Sequence, residues 1–536
     1  MTTDHPRAAR WHSLHLALPL DTAGTDAFLT ADLAPLMDGR PDADWFFIRY
    51  GEGGPHLRIR FRGDRPEDTA EELARLAGRR TPPDSPWAAG HGAVTAVPYR
   101  PETERYGGAT LLPLAEEVFT RSTRTALDAL HAMDASGGGR LAVALDLAHA
   151  TAHGLGLAPV PAARWLRRHA ASWRWVTEYP PLPGAAVHTK VNSVFAQQRS
   201  RLAERAGALR AALDAATAPA WLTAWSAQVS DAAARMRAAA PDTSDERLGW
   251  IWASQLHMLF NRLGVGPDEE RAVGRLAGRT LLETDRPFTF FPDDDPHAPD
   301  LQYLERSKFQ IGRSEDTTLR ELPPAAPTSH RPGDLPLPAD PLPPVLLADA
   351  LRARRSVRGA LRGPLTAGTL GSVLWSAYAP GADHRPYPSA GALHSVHVRL
   401  VALAVDGLAP GTYACLPEHR TLRPIGPAPA LDDLKALSSY LSRPLTDPDA
   451  VGIDEAPAVL ALHLDLARLR HRYGLRALRL GLLEAGHLAQ NLLLTAAAHH
   501  LGTIPLGGLH DDLAHELLAL DDLDQPLQYL LPLGRS

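Results

Sequence analysis

Four basic side chains alternate along one stretch of this chain: His56, Arg58, Arg60 and Arg62 in Pro55-His-Leu-Arg-Ile-Arg-Phe-Arg62, with Leu57, Ile59 and Phe61 between them. Successive strand side chains point to opposite faces, so the apolar set can pack on a core while the cations project together from the other side. Such a face either repels itself or binds an anion. The plainer alternative is a surface strand whose charges meet solvent or nearby carboxylates. Far downstream, Arg354-Arg-Ser-Val-Arg358 and Tyr387-Pro-Ser-Ala-Gly391 combine cations, hydroxyls and small residues. Alternating Arg354, Ser356 and Arg358 suit a phosphate, although taken alone they equally make an ordinary solvated basic helix end, and a loop of small residues lets backbone approach a flat ligand. Gly507-Gly508 offers another such approach.

The elements that must position these residues follow from periodicity. Trp11–Leu18 alternates with Leu14, Leu16 and Leu18 on one side, and Trp45–Tyr50 with His56–Arg62 reads as a hairpin around Gly51–Gly54. Helical spacing marks Thr123–Met133, Leu141–His153, Arg199–Ala216 and Trp221–Ala240. Thr243–Gly264 reads as a helix with a Thr243/Glu246 capping box and a terminal glycine, carrying Trp250, His257 and Asn261 near one stripe. Prolines crowd residues Leu322–Val345, which neither a helix nor an interior strand tolerates. Beyond them, Leu347–Arg354, Thr366–Tyr378 and Arg476–Leu501 read as helices, and Val396–Val405 and Ala458–Leu464 as strands.

The expected architecture is therefore α+β in two domains: 1–313, mixed with a large helical part, and 346–536, joined by a proline-rich linker at 314–345. A polyproline-type tether extends ~3.1 Å per residue and would hold two sites near one tethered substrate.

Composition bounds the function. The chain has 536 residues, 45% hydrophobic and 22% charged, and its single cysteine, Cys415, excludes an intrachain disulfide. A net charge of −6 argues against general attraction to nucleic acid, which makes the local arginine face more informative. No apolar run approaches the ~18 residues of a membrane span, and the N-terminus has no signal-peptide core. A cytoplasmic protein without a membrane partner is expected. The Asp293-Asp-Asp295 cluster sits among prolines without His or Cys spacing, so no metal site is expected.

The C-terminal motifs Arg354–Arg358, Tyr387-Pro-Ser-Ala-Gly-Ala-Leu393, Gly411-Thr-Tyr413, Arg472-Tyr-Gly-Leu-Arg476, Glu484-Ala-Gly-His-Leu-Ala-Gln490 and Leu506-Gly-Gly508 together resemble the nitroreductase superfamily, in its azoline-oxidising peptide dehydrogenase branch. The resemblance implies a nitroreductase-like FMN fold, a homodimer formed through that domain, and oxidation of peptide thiazolines or oxazolines to azoles. It places FMN near Arg354, Arg355, Ser356, Arg358, Pro388, Ser389, Gly391, Gln490, Gly507 and Gly508. The family's Lys-Tyr pair reads Arg472-Tyr473 here, so Tyr473 carries the proton-transfer role and Arg472 supports it. His487 is a weaker candidate.

Further upstream, Trp45-Phe-Phe-Ile-Arg-Tyr50, Pro55-His-Leu-Arg-Ile-Arg60, Glu104-Arg-Tyr-Gly-Gly108 and His257-Met-Leu-Phe-Asn-Arg262 resemble the glutamate-elimination domain of lanthipeptide and thiopeptide dehydratases. That resemblance implies expulsion of glutamate from a glutamylated Ser or Thr to leave a dehydroamino acid. It assigns Arg58, Arg60 and Arg105 to glutamyl binding and charge stabilisation and His257 to proton transfer, with Arg49, His56, Arg62, Asn261 and Arg262 in support. Guanidiniums suit the chemistry because they bind carboxylates bidentately.

The fusion resembles the bifunctional proteins of lactazole-like thiopeptide pathways. It implies a ribosomal precursor peptide as substrate, with a separate tRNA-dependent glutamylating enzyme and a cyclodehydratase as partners. Two rivals are a dehydrogenase with a non-catalytic peptide-docking domain, and a general FMN nitro or quinone reductase fused to a binding domain.

Overall fold

The protein is described from a computed structural model at residues 11–39, 44–63, 65–136, 139–173, 181–283, 295, 297–309, 311, 319–322, 330–382 and 384–536. The chain divides into two compact units, one of Met1–Leu182 and Thr189–Asp285, the other of Pro183–His188 and Arg286–Ser536. The first-domain end expected at 313 thus lies beyond the boundary at Asp285.

The first unit holds an antiparallel sheet in the order β2-β3-β1-β4, from β1 (His12–Ala17), β2 (Trp45–Tyr50), β3 (His56–Phe61) and β4 (Val94–Ala96). Strand β3 alternates as its sequence requires: Leu57, Ile59 and Phe61 are buried, while His56, Arg58 and Arg60 are only partly covered. Burying each of those apolar side chains stabilises the sheet by about 1.5–3 kcal/mol. Helices α1 (Pro66–Ala77), α2 (Gly108–Ser136), α3 (Arg140–Gly154), α4 (Pro159–Ser172), α5 (Gly184–Asp214, of which Gly184–His188 is grouped with the second unit), α6 (Ala220–Ala239), α7 (Asp245–Leu263) and α8 (Pro267–Thr280) follow.

Helix α7 carries His257. Its N-cap is Ser244, whose hydroxyl accepts from the Arg247 N–H at 3.2 Å, so the Thr243/Glu246 capping box is replaced by a cap one residue later. Gly264 closes the helix at φ +79°, a left-handed conformation that glycine adopts without Cβ strain.

The second unit contains a seven-stranded sheet in the order β12-β13-β11-β7-β8-β9-β5 and a parallel pair β10-β6. Its strands are β5 (Leu335–Pro336), β6 (Gly359–Arg362), β7 (Val396–Ala402), β8 (Gly411–Leu416), β9 (Thr421–Gly426), β10 (Val451–Glu455), β11 (Ala458–Leu464), β12 (Gly502–Thr503) and β13 (Leu527–Gly534). Its longer helices are α9 (Pro299–Arg306), α10 (Ala367–Tyr378), α11 (Leu466–Tyr473), α12 (Ala477–Ala498) and α13 (Asp511–Leu518). Helix α12 buries Ala485, Leu488, Leu492 and Ala496 in the core that also takes Val398 and Leu400 of β7 and Leu460 and Leu462 of β11. Both units mix helix and sheet, as the pattern of the sequence requires.

The proline-rich segment corrects one expectation. Over 330–345 it is a strap on the second unit rather than a free tether. Leu335–Pro336 adds an edge strand to β9, and the Asp334 carboxylate accepts two bonds at 2.8 Å from the Arg423 guanidinium. Trp375 Nε1 donates to the Leu337 carbonyl at 3.0 Å, and a Cβ on Gly371 would overlap the Pro338 carbonyl. Proline is excluded from interior strands but not from an edge. Pro323, Pro324 and Pro327 lie outside the described residues, as do Asp293 and Asp294.

Candidate functional site

The arginine face of the first sheet is built by three strands. Register places Ser13 opposite Arg60 and His15 opposite Arg58 on β1, and Phe46 opposite Arg60, Ile48 opposite Arg58 and Tyr50 opposite His56 on β2. Each arginine meets an aromatic ring. Arg58 lies 3.3 Å from the Tyr50 ring centroid, Arg60 4.7 Å from that of Tyr99 and 5.6 Å from that of Phe46, and Arg62 4.6 Å from that of Trp11. The negative ring faces relieve part of the repulsion without neutralising the charge.

The cations differ in what else holds them. Arg62 pairs with Asp44 at 3.5 Å and Glu116 at 3.4 Å, so it is bound to carboxylates rather than left to solvent or to a ligand. Arg58 Nε donates to His56 Nε2 at 3.3 Å, and His56 Nδ1 lies 2.8 Å from the Gly54 carbonyl. The Arg60 side chain makes no hydrogen bond or ion pair to any described residue, and its Nε is buried without a partner. Burial, with the nearby Arg58 charge, holds its pKa below the usual arginine value. A largely buried cation without an anion is costly, and an incoming carboxylate removes that cost.

Arg105 and His257 extend this face. Arg105 pairs with Glu102 at 3.0 Å, and its Nε donates to Ser254 Oγ at 3.2 Å. Ser254 stands one helical turn before His257 on α7. His257 Nδ1 lies 2.9 Å from Glu270 Oε2, while the other oxygen, Oε1, lies 2.7 Å from His169 Nε2. Although burial pushes the Glu270 carboxyl upward, the two imidazoles hold it down to about 2. Trp173 packs edge-on to His257 at 4.9 Å. Electrostatic coupling links Arg60 to Arg58 and Glu102, and Arg105 to Glu270, so the four residues assigned to elimination share one neighbourhood.

Three supporting candidates have structural partners instead. Arg49 points to the opposite face of the sheet, where it pairs with Asp26 at 2.6 Å and donates to the Arg262 carbonyl at 3.0 Å. Asn261 joins α7 to β2 through two 2.9 Å bonds to the Arg49 backbone. Arg262 is fully buried between the Phe46 and Phe119 rings and donates to Ser122 Oγ at 3.1 Å; burial lowers its pKa to about 9. His15, Glu102, His169, Ser254 and Glu270 were not singled out from sequence. His15 had a visible signal, since it alternates with Leu14 and Leu16 and must share the arginine face. Burial and then the charges of Arg58, His56 and Arg60 lower its pKa to about 4.

In the second unit, Tyr473 ends α11 against the Pro388–Gly391 loop. Gly391 has φ +56°, and a Cβ there would overlap the Tyr473 hydroxyl. The loop is anchored by Glu484 of α12, which accepts from Ser389 Oγ at 2.7 Å, Ser395 Oγ at 2.9 Å and the Val396 N–H at 3.1 Å. Glu484 is buried, and Ser389 is committed to it. Arg472 Nη1 donates to the Arg320 carbonyl at 2.6 Å, so it holds a chain segment rather than being free to support Tyr473. Gln490 and His487 are exposed on α12.

The other half of the expected cofactor set lies beside β12. Ser356 bridges to Thr503, and the Val357 N–H donates to the Thr503 carbonyl at 3.1 Å. Arg358 pairs with Asp449, whereas the Arg354 and Arg355 side chains have no partner among the described residues. Gly507 and Gly508 are exposed, and the Gly508 carbonyl accepts from Ser438 Oγ at 2.8 Å. Two guanidiniums without a partner among the described residues, immediately preceding Ser356, suit the phosphate of FMN, so the residues present fit that group.

The architecture is thus an α+β unit bearing a cationic, histidine-containing face, followed by an α+β unit in which Tyr473 packs against the Pro388–Gly391 loop. The chain belongs to the lantibiotic biosynthesis dehydratase C-terminal family, whose profile matches residues 11–281, and over residues 351–535 to the nitroreductase family. It is a fusion of the two. The nitroreductase relative MJ1384 of Methanocaldococcus jannaschii is 32% identical over 200 residues, covering 36% of this chain and 92% of the relative. The microcin B17-processing protein McbC of Escherichia coli is 28% identical over 167 residues, covering 30% of this chain and 58% of McbC. The tRNA-dependent lantibiotic dehydratase MibB from a Microbispora species is 26% identical, with a TM-score of 0.38, covering 52% of this chain and 28% of MibB. Among the described residues, no helix is long and apolar enough to cross a membrane.

Proposed function

We propose that this protein matures a ribosomally made peptide of the thiopeptide type with two activities. The first unit eliminates glutamate from glutamylated Ser or Thr to give dehydroalanine or dehydrobutyrine. The second oxidises peptide thiazolines or oxazolines to azoles with FMN. The observation that carries the first activity is Arg60, whose Nε is buried and which has no carboxylate partner among the described residues, on the face that also holds Arg58 and is linked through Glu102 to Arg105, which Ser254 and Glu270 connect to His257.

In this reading Arg58, Arg60 and Arg105 take the glutamyl carboxylate and the charge that grows on the departing oxygen. A well-placed donor in such a site contributes about 3–4 kcal/mol. In the second unit Arg354, Arg355 and Ser356 hold the FMN phosphate, and the Pro388–Gly391 loop, with Tyr473 packed on Gly391, borders its ring. Bound FMN supplies a hydride acceptor, and Tyr473 moves the proton that leaves the azoline. Exposed Leu482 and Leu483 on α12, with Leu346, Leu347 and Leu351 nearby in sequence to the Arg354 motif, support pairing with a second copy through this unit.

The substrate is a glutamylated, azoline-containing precursor peptide, prepared by a separate tRNA-dependent glutamylating enzyme and a cyclodehydratase, in the cytoplasm. Mass spectrometry of such a peptide after incubation with the protein tests both activities. Loss of two hydrogens per ring reports the oxidation and loss of glutamate the elimination; a peptide that keeps its glutamate refutes the lyase reading.

A further inference from the structure

We infer that Glu270 is the positioning residue that orients His257 with Nε2 open to the site, making His257 the base of the elimination rather than the acid. The inference rests on the elimination reading and assigns the proton.

Glu270 is 1% exposed and His169 3%, whereas the His257 side chain is 22% exposed. The three groups therefore run from the interior to the site. Each Glu270 oxygen faces one imidazole, Oε2 toward His257 Nδ1 at 2.9 Å and Oε1 toward His169 Nε2 at 2.7 Å. An ionised carboxylate only accepts hydrogen bonds, so the His257 proton stands on Nδ1 and the lone pair on Nε2. A buried carboxylate beside Nδ1 also stabilises the imidazolium formed when Nε2 takes a proton, which is the role of the carboxylate in a Ser-His-Asp triad.

The chemistry asks for a base at this point. Base Nε2 takes the Cα proton of the glutamylated residue, the C–H electron pair becomes the Cα=Cβ bond, and the Cβ–O pair leaves with glutamate. The leaving group is the α-carboxylate of glutamate, of ordinary pKa about 3.5, which departs as an anion and needs no acid. Arg58, Arg60 and Arg105 receive that charge, and no oxidant or reductant enters. The charged groups around His257 are Arg105 and its partner Glu102 from the loop before α2, Glu270 from α8 and His169 from α4, with Trp173 closing one side.

The test combines imidazole ¹⁵N spectra of the full-length protein with elimination kinetics on glutamylated peptide. The wild-type spectrum places the His257 proton on Nδ1; a proton on Nε2 overturns the inference whatever the variants do. Glu270→Gln shifts His257 toward mixed tautomers, lowers kcat by about 10²–10⁴-fold with KM little changed, and moves the base limb of the pH profile. Glu270→Asp, which keeps the charge, recovers part of kcat. If Glu270→Gln fails to fold, His169→Gln keeps the carboxylate while removing its support, and a smaller loss of kcat is expected. A folded Glu270→Gln protein with unchanged tautomer and kcat overturns the inference. A wild-type protein that shows the Nδ1 proton but never releases glutamate defeats the lyase reading and the base assignment, and leaves the orienting role of Glu270 supported.

Discussion

The Tyr473 hydroxyl occupies the space that a side chain on Gly391 would need. A residue expected to move a proton is thus in contact with the loop expected to border the flavin, and the contact exists only because residue 391 is glycine. Gly391→Ala should therefore displace Tyr473 and also strain a backbone at φ +56°. The expected outcome is a tenfold or greater loss of azole formation, on the order of 1.4 kcal/mol in the barrier. The double variant Gly391→Ala/Tyr473→Phe should be little worse than Tyr473→Phe alone. Additive losses in single-turnover assays would show that the contact has no catalytic meaning.

Arg60→Met should separate function from stability. Removing a largely buried cation that lacks an anionic partner relieves a desolvation cost, so thermal stability should hold or rise. Glutamate elimination should fall by about 10²–10³-fold, the range for loss of a donor to developing negative charge. Azole formation by the same sample is the internal control.

Asn261→Ala should act through folding alone. It removes both bonds that tie α7 to the Arg49 backbone and leaves a donor and an acceptor of β2 without partners. A loss of about 2–4 kcal/mol is expected in denaturant unfolding of the first unit. Activity per folded molecule should remain close to wild type.

His15 gives the first unit a pH dependence of known sign. Its folded-state pKa is lowered to about 4 from an ordinary value of 6.5, by burial and then by Arg58, His56 and Arg60. Between these values the unfolded chain binds more protons, so stability rises with pH across the window and is lost as pH falls from 6.5 toward 4. Partial exposure of the ring reduces the size of the effect through solvent screening. Comparing wild type with His15→Gln by denaturant titration at pH 4.5 and 7.5 should show the difference shrink in the variant.

How much of this was legible in the sequence depends on how local the signal is. The alternation of β3 and the glycine stop of α7 are local, and both are present at the expected positions. The fate of each arginine is not local. Tyr50, Tyr99 and Trp11 come from separate segments, and so do Asp44 and Glu116, which decide that Arg62 is paired while Arg60 is not. Glu270 lies thirteen residues after His257 across the turn between α7 and α8, a spacing with no helical period to expose it. The proline run excludes a helix and an interior strand, and the edge strand that remains open to it is the one it forms.

That edge strand also determines where the second unit can be separated from the first. A truncation starting at Leu346, the limit suggested by motif content, would strip Leu335–Pro336 from β9 and discard the Asp334–Arg423 clamp. The Thr421–Leu422 end of β9 would then present unpaired N–H and C=O groups, lengthening an edge on which a second chain can dock and start aggregation. A fragment starting at His330 keeps its own shield. The fragment starting at Leu346 should therefore be the less soluble of the two when they are measured side by side.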